Sequence, residues 1–174
     1  MNEILNIKSK EENKILHTPS ADVEPGENIK ELKKKITSIF SVRPFCLGVA
    51  APQVGVLKKV FIGQFGNNKS SVFPRHELTR LKNKNAVIMI NPKIINKSEK
   101  TVQSIEGCLS IDDNVYSVPR PEVVEVSYEN VERKPVTAIL YGLDAYVFMH
   151  EYDHLMGITI NQAYNATLIE KSND

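Results

Sequence analysis

Cysteine is scarce in this chain, with Cys46 and Cys108 the only two among 174 residues. That is too few for a disulfide framework, which predicts a reducing, cytoplasmic setting and leaves both thiols free for chemistry. Long apolar runs are missing as well. No stretch approaches the ~20 consecutive residues that a membrane span requires, so no membrane association is expected. The opening stretch, MNEILNIKSKEENK, carries too many charges for a secretory signal. Nor is one sign of charge in surplus: 22 Lys plus Arg stand against 21 Asp plus Glu. Proteins that grip phosphate backbones need a basic excess, so direct nucleic-acid binding is not expected. What is present, 41% hydrophobic residues, is enough at this length for one core without stapling, and 1–174 reads as a single domain.

Along the chain, Ile29, Leu32, Ile36, Ile39 and Phe40 recur at helical spacing and predict an amphipathic helix over about 27–40. The KKK run at 33–35 is its solvated face, and Pro44 closes it. The following GVAAPQVG is small-residued and Pro-interrupted, and reads as a loop that permits close backbone approach. Short strands are expected at 56–65, 86–90 and 99–104, with 66–85 the least patterned stretch. Strands at 123–128 and 138–141 flank the polar turn ENVERKP and suit an antiparallel pair. A second helix is expected at 145–156, with Asp144 as N-cap and Gly157 just past its end. Helix, run of strands, helix is an α+β order.

Two of the four histidines fall in His150-Glu151-Tyr152-Asp153-His154. On a helix, residues i and i+4 share a face, so both imidazoles reach one metal while Glu151 stands beside it to handle a proton. A hydrolytic site needs a third protein ligand. The extended pattern HExxHxxGxxH holds as far as Gly157 and fails at Ile160. Glu170 is a possible downstream carboxylate. The better-supported option is Cys108, in Glu106-Gly107-Cys108-Leu109-Ser110, a soft thiolate that with two imidazoles leaves one position open for water. In the Gly-rich segment, Gln53 carries an uncharged amide that can donate to an oxygen gaining negative charge without competing for the metal.

With GVAAPQ, EGCLS and HEYDH in this order, the chain resembles the peptide deformylases over about residues 15–157. The resemblance implies a mainly antiparallel sheet around a central metal-binding helix. It also implies hydrolysis of the N-formyl group from the initiator methionine of nascent peptides, so the partners are N-formylmethionyl peptides, with transient ribosome association. By the same resemblance Cys108, His150 and His154 hold one divalent metal ion; Fe(II) is implied, while the ligand types suit Zn(II), Ni(II) and Co(II) equally. Glu151 takes and returns the proton, and Gln53 with the backbone N–H of Leu109 stabilises the oxyanion. Gly48, Val49 and Gly107 face the peptide, Glu106 and Arg120 brace the site, and Asp153 supports a ligand. Tyr146 and Val147, at i−4 and i−3 from His150, are placed to line a slot for an unbranched apolar side chain.

The chain departs from the family pattern at Cys46, which stands where Gly is usual and brings a side chain into a peptide-facing loop. Met149 replaces a common Gln, and Val115 a common Arg. The IDDNV stretch at 111–115 and the extra material at 66–85 are similar to longer members of Gram-positive type. The short polar tail ending in KSND is similar to viral and phage-encoded members and leaves little room for a long C-terminal helix. Two rival readings are another HExxH peptidase or amidase and a metal-stabilised binding protein without catalysis. Cleavage of an unformylated peptide distinguishes the first, and the absence of any turnover on a formyl-Met peptide the second.

Overall fold

The computed structural model describes residues 4–81, 84–163 and 165–169; Glu170 and the KSND tail lie outside the described residues. Helices α1 (Lys10–Leu16) and α2 (Lys30–Val42) precede strands β1 (Gly48–Ala50), β2 (Val60–Gln64), β3 (Thr79–Leu81), β4 (Lys84–Lys97), β5 (Thr101–Cys108), β6 (Ile111–Pro121), β7 (Val123–Glu129) and β8 (Pro135–Tyr141). Helix α3 (Leu143–Leu155) and strand β9 (Thr167–Ile169) follow. The order β1-β2-β4-β7-β8, with β3 beside β4, makes a six-stranded sheet, and β5-β6-β9 a second of three strands. Every pairing among these strands is antiparallel, as the α+β reading expects.

The apolar stripe of α2 packs as its periodicity requires. Leu32, Ile36, Ile39 and Phe40 are buried against Val49, Val54, Val60, Ile62 and Ile90. Helix α3 buries far more of its circumference, with Ala145, Val147, Phe148, Met149 and Leu155 set against Phe61, Phe65, Met89, Val126 and Leu140. Phe148 meets Phe61 edge-on at 5.8 Å and stacks on Tyr152 at 5.7 Å. Its full burial contributes about 2–3 kcal/mol. The central helix is thereby fixed in rotation, and with it the direction in which the two histidines point.

The local reading needs correction at several places. Asp144 is not the N-cap of α3: Gly142 precedes the helix at φ 54, and Asp144 lies buried in the first turn. There its carboxylate accepts from Asn67 N and Nδ2 and from Asn68 N. The left-handed glycine turns the chain from β8 into α3 within one residue. Gly48–Ala50 is a strand, not a loop, paired with β2, and Ala51–Val54 forms a 3-10 turn; three residues are too few to show a period. The strand read at 99–104 is β5 and runs on to Cys108. The long β6 shows no clear strand pattern in the sequence because Pro119 and Pro121 break it. Among the described residues its last four positions pair with β5 alone, and prolines are tolerated on such an edge.

Candidate metal centre and catalytic cleft

The end of β5 and the middle of α3 meet at one point. Cys108, His150 and His154 each offer a ligand atom, and these atoms all lie within 4.8 Å of one another. Cys108 Sγ is 3.2 Å from His154 Nε2, and the two imidazoles stand 5.0 Å apart at 73°. Burial opposes ionisation of the Cys108 thiol, yet the His154 and His150 rings more than reverse this and hold it well below the usual thiol range. His150 is held well above the usual imidazole value by Cys108 and Glu106, against its burial. Nδ1 of His154 is buried without a protein partner among the described residues. A convergent thiolate and two imidazoles suit a borderline-soft divalent metal, so the residues present fit the implied ion.

Glu106 and Arg120, on β5 and β6, brace this point. The Arg120 guanidinium donates through Nε and Nη2 to the two Glu106 oxygens at 2.8 and 2.9 Å, and His150 Nδ1 lies 2.9 Å from Glu106 Oε2. Asp153 accepts from Arg120 Nη1 at 2.5 Å, so among the described residues its link to His150 runs through Arg120 and Glu106.

Glu151 is 3% exposed, and its Oε2 has no partner among the described residues. Burial, partly countered by the two histidines, pushes its carboxyl up to about 7. A Cβ on Gly48 would lie 2.2 Å from Glu151 Oε1, so only glycine lets this strand pass over the carboxylate. Gln53 is fixed in the 3-10 turn: Oε1 accepts from Ala50 N at 2.9 Å, while Nε2 lies 3.2 Å from Ser110 Oγ and 3.6 Å from Cys108 Sγ. Ser110, fully buried, was not singled out in the sequence although it closes the EGCLS run.

A cleft of about 600 Å³ opens over these groups. Gly48, Gln53, Gly107, Leu109, Tyr146 and Val147 line it. Val49 does not: its side chain is wholly buried in the core beside α2. Cys46 is among the lining residues, as its place in this loop implies, but it is largely buried and its thiol donates to the Gly48 carbonyl at 3.0 Å. Burial pushes that thiol up to about 12. Val115 lines the cleft, and Met149 is core.

A thiolate and two imidazoles within one ligand sphere, beside a buried carboxylate on the same helix, define a metallohydrolase site. The model of the polypeptide deformylase family matches residues 1–167. A peptide deformylase of Synechocystis is 31% identical over 147 residues, which cover 83% of this chain and 71% of that one. The tomato chloroplastic peptide deformylase 1A is 33% identical over 82% of this chain, which spans 53% of that enzyme's length. A probable peptide deformylase from Synechococcus phage S-SSM7 superposes with a TM-score of 0.76 at 33% identity, covering 94% of this chain and all of that one. The chain belongs to the polypeptide deformylase family, metallohydrolases that remove the N-formyl group from nascent peptides.

Proposed function

We propose that this chain, as one domain over 1–174, deformylates N-formylmethionyl peptides with a single divalent cation held by Cys108, His150 and His154. The convergence of these three side chains beside the buried, half-unpartnered carboxylate of Glu151 carries the reading. Thiolate with two imidazoles suits Fe(II), Zn(II), Ni(II) or Co(II), and we assign Fe(II) on the family resemblance. Such a cation would supply Lewis acidity and make water a nucleophile near neutral pH.

The chain's own groups do the rest. Glu151 Oε2 accepts the proton as water oxygen bonds to the formyl carbon. Gln53 Nε2 and the Leu109 N–H donate to the carbonyl oxygen as it gains charge. Glu151 then returns the proton to the amine nitrogen, the C–N bond breaks, and the remaining acid proton passes to the freed amine, so that formate and a protonated N-terminus leave. The formylmethionine side chain lies against Tyr146 and Val147, and Gly48 and Gly107 offer the peptide backbone close approach. Glu106 and Arg120 hold His150 in orientation.

Among the described residues no helix is long and apolar enough to cross a membrane. The low cysteine content supports a cytoplasmic setting, and nascent formylated chains as substrate support transient encounters with the ribosome. The rival HExxH peptidase is disfavoured because Ile160, where a third histidine would stand, is buried apolar core.

Protein purified without oxygen, with its metal measured, should release formate from formyl-Met-Ala-Ser and leave the unformylated peptide intact. Cleavage of an internal bond would favour the peptidase. Metal binding without formate release would favour a non-catalytic binding protein.

A further inference from the structure

The cleft wall at residues 42–47 is joined to β2 at its far end, where Gln64 N donates to the Leu47 carbonyl at 2.8 Å, and before that point has little of its own to hold it. Val42, Arg43, Pro44 and Phe45 are exposed, Phe45 at 94%, and only Cys46 is turned inward. A segment with so little buried apolar surface belongs to the part of a fold that opens most readily. It follows the C-terminus of α2, whose last carbonyls have no intrahelical partners, and Pro44 cannot extend the helix to satisfy them.

Lys84, the first residue of β4, fills this gap from the neighbouring sheet. Its ammonium donates to the carbonyl oxygens of Phe40 at 3.1 Å, Arg43 at 2.5 Å and Cys46 at 2.6 Å, and stands 4.4 Å from the centre of the Phe40 ring. The residue is 7% exposed, and no carboxylate among the described residues pairs with it. An ammonium has three donors, and here each finds a carbonyl. The negative end of the α2 dipole and the face of Phe40 add to the attraction. Burial lowers the ammonium's pKa, so this carbonyl set is what offsets the desolvation of the charge. One side chain thus ties the end of α2, the turn at Arg43 and the approach to β1 into one unit, without touching Glu151, Gln53 or the three ligand side chains.

We propose that Lys84 is a positioning residue for substrate: it holds the 43–47 wall of the cleft in place, so that the peptide beyond the formylmethionine meets a preformed surface. This rests on the deformylase reading of the same cleft. Without the tether the segment must be ordered at each binding event, which weakens binding and leaves the chemical step alone.

The test is Lys84→Met, which keeps most of the stem and removes the donors. Metal content and kcat on formyl-Met-Ala-Ser should stay within about twofold while KM rises roughly tenfold. Chymotryptic cleavage after Phe45 should also become faster than in the parent protein. Lys84→Arg keeps the charge, but a planar guanidinium cannot donate to three carbonyls converging on one point, so it should show the same KM effect in smaller measure. It replaces the first variant if that one does not fold. Should neither fold, hydrogen exchange in the parent decides, because the Cys46 N–H, bonded to the Arg43 carbonyl at 3.2 Å, exchanges slowly only if the segment is held.

Unchanged KM and cleavage in a folded variant, a fall in kcat at constant KM, or fast exchange at Cys46 in the parent would overturn the inference. A metal-loaded parent that releases no formate would overturn the deformylase reading instead, and the proteolysis arm would still show whether Lys84 holds the segment.

Discussion

The carboxylate of Glu106 faces Nδ1 of His150 at 2.9 Å while both its oxygens receive the buried guanidinium of Arg120. With its proton on Nδ1, His150 leaves Nε2 free for a metal, and the ring cannot swing about its Cβ. Burial alone would raise the Glu106 carboxyl. Arg120 and His150 reverse that and hold it down to about 2.

Glu106→Gln should therefore act on two measurements at once. Loss of the outer partner of a ligating histidine costs about 10- to 100-fold in metal affinity, readable by chelator competition. Stability should change in a pH-dependent way. A carboxyl whose folded pKa lies below its unfolded value stabilises the native state above about 4.5, and this contribution is lost as pH falls toward about 2. The parent should lose stability across that window and the variant much less. Equal metal affinity and parallel pH curves would show the pair to be inert.

Gln53 is held at both ends of its amide, by Ala50 N and by Ser110 Oγ. Gln53→Ala should retain metal and fold and lose roughly 100- to 1000-fold in kcat, the usual cost of one oxyanion donor. Ser110→Ala should give a smaller loss of the same kind, since it frees the amide without removing it. Normal turnover in Gln53→Ala would place this side chain outside the chemistry.

These two residues also show what a sequence can carry. The spacing of His150 and His154 is itself a geometric statement, because i and i+4 on a helix share a face. Gln53 and Cys108 stand in runs whose order is informative. Ser110 and Lys84 have no such periodicity. Their partners lie 57 residues away at Gln53 and 38–44 residues away at Phe40, Arg43 and Cys46, so only the fold brings them together. Asp144 was misplaced for a related reason: its acceptor capacity is met by Asn67 and Asn68 in a stretch without pattern, not by its own helix. The amphipathic α2 and the β7–β8 hairpin were legible because each makes its pattern within a short window.

The two cysteines should differ sharply in reactivity. After chelation, iodoacetamide at about pH 8 should modify Cys108, whose thiolate is favoured by two imidazoles, and leave Cys46, whose buried thiol is pushed up to about 12. Returning Zn(II) before the reagent should protect Cys108. Peptide mapping by mass spectrometry reads both outcomes, and faster labelling of Cys46, or no protection by metal, would contradict the assignment.

Glu151→Gln separates chemistry from architecture. The amide has nearly the shape of the carboxylate and fits under Gly48, where a Cβ has no room, so fold and metal content should be retained. What is lost is a group that can take a proton and return it, worth about 100- to 10,000-fold in turnover. The proton acceptor must be ionised, so parent activity should rise with pH along an acid limb. A bound cation favours the carboxylate and should move that limb below the value of about 7 set by burial. The variant should show no such limb. Stability of the metal-free protein supplies an independent sign. A carboxyl raised from 4.5 to about 7 makes the native state bind more protons than the unfolded chain, so the parent should lose stability as pH climbs from about 4.5 through 7. The glutamine variant has no charge to bury, so above pH 7 its metal-free form should melt at a higher temperature than the parent while hardly turning over. A variant that is both inactive and less stable at that pH would mean that Glu151 supports the fold and does not carry the proton.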